Sequence, residues 1–152
     1  MNERPPKILA IASGGGHWIQ LMRLTRAFDG GRLYLSSTYD RVTGVPEHEG
    51  YFSVPDANAN EKGRMILLGL KVLFVTLRLR PDVVVTTGAA PGFYAVLFGK
   101  LLGAKTIWID SIANAEQFSL AGLKARRWAD HWCSQWPEVA EAAGAEYIGS
   151  VI

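Results

Sequence analysis

Short apolar runs alternate with longer segments of helical periodicity along nearly the whole chain. Runs of apolar and β-branched residues are typical of strands buried on both faces of a parallel sheet. Seven segments predict strands: 7–12, 32–37, 50–55, 82–87, 104–110, 130–136 and 146–149. Apolar residues at helical spacing predict five helices: 17–28, 61–79, 91–103, 120–129 and 137–144.

This steady alternation of strand and helix predicts the fold class. Parallel strands joined by right-handed helical crossovers form an open sheet with helices on both faces, which is a Rossmann-like architecture. Glycine and proline mark the ends of elements, and the polar segments 40–50 and 55–63 predict long loops. Because no repeat, linker or low-complexity tract divides the 152 residues, we expect one domain over residues 1–152.

Composition narrows the classes of function. The formal charge is only +2, whereas nucleic-acid binding usually needs a strongly basic face, so we expect no nucleic-acid partner. A single cysteine, Cys133, excludes an intrachain disulfide and fits a reducing compartment such as the cytoplasm. The histidines have no partners at metal-ligand spacing, so no metal site is predicted.

The most apolar segments are short. The run at 8–12 is shorter than the apolar region of a signal peptide, so secretion is not expected. The segment 65–80 contains Lys71 and ends with Arg78 and Arg80, whereas a helix that spans a bilayer needs about 20 mostly apolar residues. We expect it to lie on a membrane surface with its basic residues at the head groups, or to be a core helix of the sheet.

A glycine-rich turn follows the first predicted strand. Ser13, Gly14, Gly15 and Gly16 precede a helix, and this turn is the usual phosphate site of an open α/β sheet. Glycines let the backbone approach a ligand, and the amides at a helix N-terminus favour an anion. The sequence therefore predicts a phosphate or diphosphate site, with a purely structural turn as the alternative.

Two common nucleotide motifs fit this turn poorly. A P-loop carries Lys and Ser or Thr after its last glycine, but His17 and Trp18 stand there, which argues against ATP hydrolysis. A dinucleotide site needs an acidic residue at the end of the second strand, where this chain has Ser36 and Ser37. His17 can instead contact a bound anion or accept a proton from a nearby hydroxyl, or it can hydrogen-bond within the turn.

Several segments together resemble one family. The turn reads SGGGHWIQLMRL and is similar to the S-G-G-H-T-x-E-M turn of the acceptor-binding, membrane-recruiting subunit of the two-part UDP-N-acetylglucosamine transferase of asparagine-linked glycan assembly. Bacterial PssD-like exopolysaccharide proteins are relatives. The resemblance continues through PDVVVTTGAAPG, through IWIDSIANAEQFSLAGLKARRWADHWCSQWPEV and through the closing YIGSVI.

The resemblance implies half of an enzyme. Family members correspond to the N-terminal, acceptor-side half of a GT-B glycosyltransferase, and single-chain relatives such as MurG carry both halves. A partner subunit would supply the UDP-sugar, and this chain would bind a polyprenyl-diphosphate-linked sugar acceptor. The reaction would need no cofactor. It would recruit that partner to the inner face of the membrane in polysaccharide or oligosaccharide biosynthesis, and it would be inactive alone.

The same resemblance suggests roles for particular residues. His17 would be the base for the attacking hydroxyl, and Gly88 would face the same cleft from another strand end. Asp110 and Ser111 stand where the family has Glu-Ser, where a carboxylate orients a sugar hydroxyl or fixes the neighbouring loop. The pocket for the acceptor diphosphate would be lined by the first turn: Ser13, Gly14, Gly15, Gly16 and His17.

Departures from the family pattern leave the sugars open. Trp18 and Gln20 replace the common Thr and Glu, and Asn114 replaces an Arg. Two other functions therefore stay as alternatives. One is a scaffold that recruits a catalytic partner to the membrane without contributing a chemical group. The other is an unrelated Rossmann-like nucleotide-binding enzyme.

Overall fold

A seven-stranded parallel sheet forms the centre of the protein. The structure is a computed structural model that describes residues 4–151, so Ile152 of the closing motif lies outside the described residues. The strands follow one another in the chain as β1 Lys7–Ile11, β2 Arg32–Ser37, β3 Gly50–Ser53, β4 Val83–Thr86, β5 Lys105–Ile109, β6 His131–Ser134 and β7 Glu146–Tyr147. Their spatial order is β3-β2-β1-β4-β5-β6-β7, and every neighbouring pair is parallel.

Helices cover both faces of this sheet. They are α1 Gly16–Arg23, α2 Lys62–Leu79, α3 Ala89–Leu101, α4 Leu120–Ala125 and α5 Pro137–Ala143. Residues of α1 pack on one face together with Val85, whereas residues of α2 to α5 pack on the other face together with Val84. Adjacent strand residues point to opposite faces, so the continuous apolar run of β4 contributes to both halves of the core. The predicted Rossmann-like fold is confirmed.

Two predicted helices are shorter in the structure. The helix predicted over 17–28 ends as α1 at Arg23 and is followed by a 3₁₀ turn over Thr25–Phe28. The Thr25 hydroxyl donates to the carbonyl oxygen of Met22 at 2.7 Å, and such side-chain bonds to the backbone compete with α-helical geometry. The helix predicted over 120–129 ends as α4 at Ala125.

The strand order identifies where the ligand cleft of this fold is expected, at the carboxyl ends of β1 and β4. From β1 the chain moves in one direction to β2 and β3, and from β4 it moves in the other direction to β7. At such a reversal the loops after the two central strands diverge, and ligands of open α/β sheets bind there. The glycine turn follows β1 and the turn with Gly88 follows β4, so both lie at this position.

Candidate functional site

Two reciprocal hydrogen bonds join the turn after β1 to the turn after β4. Nδ1 of His17 lies 3.0 Å from the carbonyl oxygen of Thr87. The Thr87 hydroxyl donates to the carbonyl oxygen of His17 at 2.6 Å. The structure therefore brings His17, in the first turn of α1, into contact with the residues around Gly88.

Position 88, beside the imidazole of His17, requires glycine. Its φ of 130° lies in the region that side chains rarely adopt. A Cβ at this position would lie 2.9 Å from Nδ1 of His17, closer than van der Waals contact. This glycine makes room for the imidazole, which is a reason independent of any ligand.

Two of the glycine amides predicted to hold a diphosphate already have partners. The amide of Gly14 donates to Oγ1 of Thr38 at 2.9 Å, and the amide of Gly15 donates to the hydroxyl oxygen of Tyr39 at 2.8 Å. A Cβ on Gly14 would lie 2.9 Å from Cζ of Tyr39, so this glycine accommodates the phenol ring. Sequence reasoning missed Thr38 and Tyr39, because they lie in a loop that no motif marked.

Aromatic neighbours hold Tyr39 in this position. Trp18 packs edge-on against its ring with the centroids 6.4 Å apart, and the Tyr51 hydroxyl donates to the carbonyl oxygen of Tyr39 at 2.5 Å. Burial raises the pKa of Tyr51, so this hydroxyl stays a donor at neutral pH. Trp18, a departure from the family pattern, therefore supports the residue that contacts the glycine turn.

The start of α1 keeps free donors. Among residues 4–151, the amides of Gly16 and His17 donate to no protein acceptor, and the Ser13 hydroxyl makes no hydrogen bond. Gly15 adopts a φ of 77°, which makes the turn possible, whereas a Cβ on Gly16 would meet nothing within 4 Å. The space in front of the first turn of α1 is open, and the positive end of the helix dipole points there.

Asp110, at the end of β5, is 2% exposed and holds the following loop. Its Oδ1 accepts from Nε1 of Trp108 at 3.0 Å and from Oγ of Ser119 at 2.7 Å. Its Oδ2 accepts from Nδ2 of Asn114 at 3.0 Å and from the amide of Ser119 at 2.9 Å. Three of these four bonds tie the carboxylate to the loop that leads into α4, and the fourth comes from Trp108 within β5.

Buried glutamines connect Ser111 to the first helix. Nε2 of Gln20 donates to Oγ of Ser111 at 3.1 Å, and Oε1 of Gln20 accepts from Nε2 of Gln135 at 2.8 Å. Oε1 of Gln135 in turn accepts from the amide of Val151 at 2.7 Å. Gln20 was identified from the sequence only as a departure from the family pattern, yet it joins α1, the loop after β5 and the C-terminal segment.

The outer face of α2 carries exposed apolar side chains. They share one side of the helix and are between 44% and 64% exposed: Ile66, Leu67, Leu70, Phe74 and Leu77. The opposite side, with Leu68, Val72 and Val75, is fully buried in the core. The buried side fits the predicted core helix, and contact of the exposed side with a membrane stays a prediction. Within residues 4–151, none of the helices has the length and apolar character needed to cross a membrane.

The side chains that could ligate a metal ion are scattered in the part of the chain that the structure describes. Residues 4–151 contain no cluster of three or more histidine, cysteine, aspartate or glutamate side chains in metal-binding proximity. Cys133 is buried in the core, and burial raises the pKa of its thiol to about 12. The polar groups of the cleft are instead amides, hydroxyls and one imidazole, which suit an anionic or hydroxylated ligand.

Comparison with known sequences gives one consistent result. No family model matches the chain. The UDP-N-acetylglucosamine transferase subunit ALG14 of Yarrowia lipolytica is 24% identical over an alignment of 177 positions, gaps included, that covers 97% of this chain and 82% of that protein. The ALG14 subunit of Mus musculus is 22% identical over 96% of this chain and 83% of its own length. That of Candida albicans is 26% identical over 93% of this chain and 76% of its own length.

Solved structures share the fold at low sequence identity. MurG of Acinetobacter baumannii superposes with a TM-score of 0.75 at 14% identity, over 97% of this chain and 46% of MurG. The UDP-GlcNAc 2-epimerase of Methanocaldococcus jannaschii superposes with a TM-score of 0.63 at 17% identity, over 92% of this chain and 43% of that enzyme. This chain spans less than half the length of either enzyme. The protein is thus similar along nearly its whole length to transferase subunits named ALG14, and it has the Rossmann-like fold found in one half of the GT-B protein MurG.

Proposed function

We propose that this protein is the acceptor-binding subunit of a UDP-sugar-dependent glycosyltransferase. It binds a sugar carried on a polyprenyl diphosphate and recruits a donor-binding partner at the membrane. One observation carries this proposal: His17 lies beside helix amides without protein acceptors, where the strand order of the sheet reverses. The chain that contains this arrangement is similar to transferase subunits. The printed name of the similar proteins, transferase subunit, supports a division of the enzyme between two chains.

The acceptor diphosphate binds at the start of α1. The amides of Gly16 and His17 have no protein acceptor among residues 4–151, so they donate to one phosphate, and the helix dipole adds a favourable field. Thr38 and Tyr39 accept from the Gly14 and Gly15 amides, so their hydroxyl hydrogens are available to a phosphate oxygen. The anion thus accepts hydrogen bonds from two backbone amides and from two hydroxyl groups. The Gly14 and Gly15 amides hold those hydroxyl groups in place.

The remaining predicted residues shape the cleft around this anion. Ser13 offers its hydroxyl at the end of β1, and Gly88 leaves space for the imidazole of His17. Asp110 and Ser111 fix the loop that forms the cleft wall after β5. The acceptor sugar then lies between this wall and His17.

His17 acts as the base in an inverting displacement. The acceptor hydroxyl oxygen forms a bond to the anomeric carbon of the donor sugar while the bond from that carbon to UDP breaks. The imidazole takes the hydroxyl proton, and the electron pair leaves with UDP, whose charge the partner subunit stabilises. Catalysis therefore requires both chains, because the donor site belongs to the partner.

The exposed face of α2 provides the membrane contact. Leucine, isoleucine and phenylalanine side chains enter the boundary between head groups and acyl chains, and Lys71, Arg78 and Arg80 meet anionic lipids. This arrangement is peripheral, on the cytoplasmic face where the lipid-linked acceptor is presented. A docked orientation brings the cleft close to the lipid that carries its substrate.

Two other functions make different predictions. A scaffold that only recruits the partner needs no free base, so transfer would survive loss of the His17 imidazole. An unrelated nucleotide-binding enzyme would bind a nucleotide as an isolated chain. The hydrogen-bond geometry at His17 and the similarity to transferase subunits favour the catalytic reading.

A matched pair of glycine substitutions tests the diphosphate site. A Cβ at Gly16 or at Gly63 meets nothing within 4 Å, and neither glycine has a positive φ. Gly16→Ala places a methyl group where the diphosphate binds, so we expect at least a tenfold loss of affinity for a water-soluble, short-chain prenyl-diphosphate sugar in titration calorimetry. Gly63→Ala, at the start of α2, should bind like the wild type. Equal affinity of all three proteins would exclude the diphosphate from the start of α1.

A further inference from the structure

We infer that Thr87 is a positioning residue that fixes the tautomer of His17. This inference rests on the proposed function, in which His17 is the base. The two residues are 70 positions apart and belong to different turns, yet they exchange two hydrogen bonds, one through each residue's backbone carbonyl. Thr87 thereby determines which imidazole nitrogen can accept a proton.

The acceptor at Nδ1 determines the position of the imidazole hydrogen. The partner of Nδ1 is the carbonyl oxygen of Thr87 at 3.0 Å, and a carbonyl oxygen has no hydrogen to donate. Nδ1 therefore carries the hydrogen, and in the neutral ring the free electron pair is on Nε2. Among residues 4–151, Nε2 has no hydrogen-bond partner, so it is available to a hydroxyl group. The alternative tautomer would place a hydrogen on Nε2 and remove the base from that atom.

The hydroxyl of Thr87 holds this arrangement in place. It is fully buried and donates to the carbonyl oxygen of His17 at 2.6 Å, which fixes the backbone that carries the imidazole. Gly88 leaves room for the ring on the other side, because a side chain there would collide with Nδ1. The imidazole is thus oriented by Thr87 and accommodated by Gly88.

Two substitutions at position 87, one to valine and one to serine, distinguish positioning of the imidazole from simple packing of the Thr87 side chain. Thr87→Val keeps the shape and removes the hydroxyl donor, whereas Thr87→Ser restores it. Thr25→Val is the matched control, since Thr25 is also buried and also donates from its hydroxyl to a backbone carbonyl, but it does not contact the imidazole. The full chain is labelled with ¹⁵N-histidine, and the His17 signals are identified from their loss in His17→Asn.

Imidazole spectra at alkaline pH, where histidine is neutral, give the first readout. We expect the wild type, Thr87→Ser and Thr25→Val to show a protonated Nδ1 and an unprotonated Nε2, and Thr87→Val to show a mixture of tautomers. The second readout is transfer with the co-expressed partner, where Thr87→Val should lower kcat at least fivefold with KM within twofold.

The two readouts separate the inference from the proposed function. The role of Thr87 would be overturned if Nε2 of His17 carried the hydrogen in the wild type. It would also be overturned if Thr87→Val had the wild-type spectrum and kcat. A wild-type pair of subunits that transfers no sugar, with the expected imidazole spectra, would overturn the proposed reaction and leave the tautomer assignment in place.

Discussion

Asp110→Asn is expected to lower the free energy of unfolding by about 2 to 6 kcal/mol. The carboxylate accepts four hydrogen bonds, two on each oxygen, from donors in a site that is 2% exposed. Asparagine has a single acceptor oxygen, so two of the four donors would face an amide NH₂ group instead. Each buried donor that loses its acceptor costs about 1 to 3 kcal/mol.

Urea unfolding, followed by tryptophan fluorescence, measures this loss. With a slope of about 2 kcal/mol per molar urea, the midpoint should fall by about 1 to 3 M. Asp56→Asn is the control, because Asp56 is exposed and its side chain makes no hydrogen bond within the described residues. A midpoint for Asp110→Asn that matches both the wild type and this control would show that the carboxylate does not hold the loop after β5.

Three further predictions concern other parts of the molecule. Replacement of both Leu70 and Phe74 on α2 by glutamine should weaken binding to anionic vesicles about 30-fold in a sedimentation assay, since each half-exposed side chain contributes about 1 kcal/mol to binding. Ile148→Gln, at a similarly exposed side chain, should have no effect in the same assay. Tyr39→Phe should weaken binding of inorganic diphosphate about three- to tenfold in calorimetry, because the phenol hydrogen is lost as a donor, and unchanged affinity would remove Tyr39 from the site. Burial raises the pKa of the Cys133 thiol to about 12. The thiol should therefore resist alkylation by iodoacetamide at neutral pH until the protein unfolds, and mass spectrometry measures this alkylation.

The sheet could be predicted from the sequence because its signals are local. A continuous β-branched run such as β4 has few alternatives to a buried parallel strand, and glycine or proline marks most element ends. Helix ends were less predictable. After α1 ends, the Thr25 hydroxyl bonds to the backbone carbonyl of Met22, a contact that hydrophobic periodicity does not reveal.

The candidate site could be predicted only in part. The turn after β1 is visible from its glycines, but the reason for each glycine depends on distant residues. Gly14 accommodates Tyr39 and Gly88 accommodates His17, and both contacts join different loops. No periodicity or spacing encodes such contacts, so Thr38, Tyr39 and the buried Gln135 were not recognised as partners of the site.

Transfer by the two-chain enzyme tests the central claim most directly. The chain is co-expressed with a donor-binding glycosyltransferase subunit, and UDP-sugars are offered with a polyprenyl-diphosphate sugar acceptor. His17→Asn keeps an amide donor for the Thr87 carbonyl but has no base, whereas His17→Ala loses both. We expect transfer only when both chains are present, and at least a hundredfold loss in both variants with the complex intact. Transfer by the partner alone, or full transfer by His17→Asn, would contradict the account.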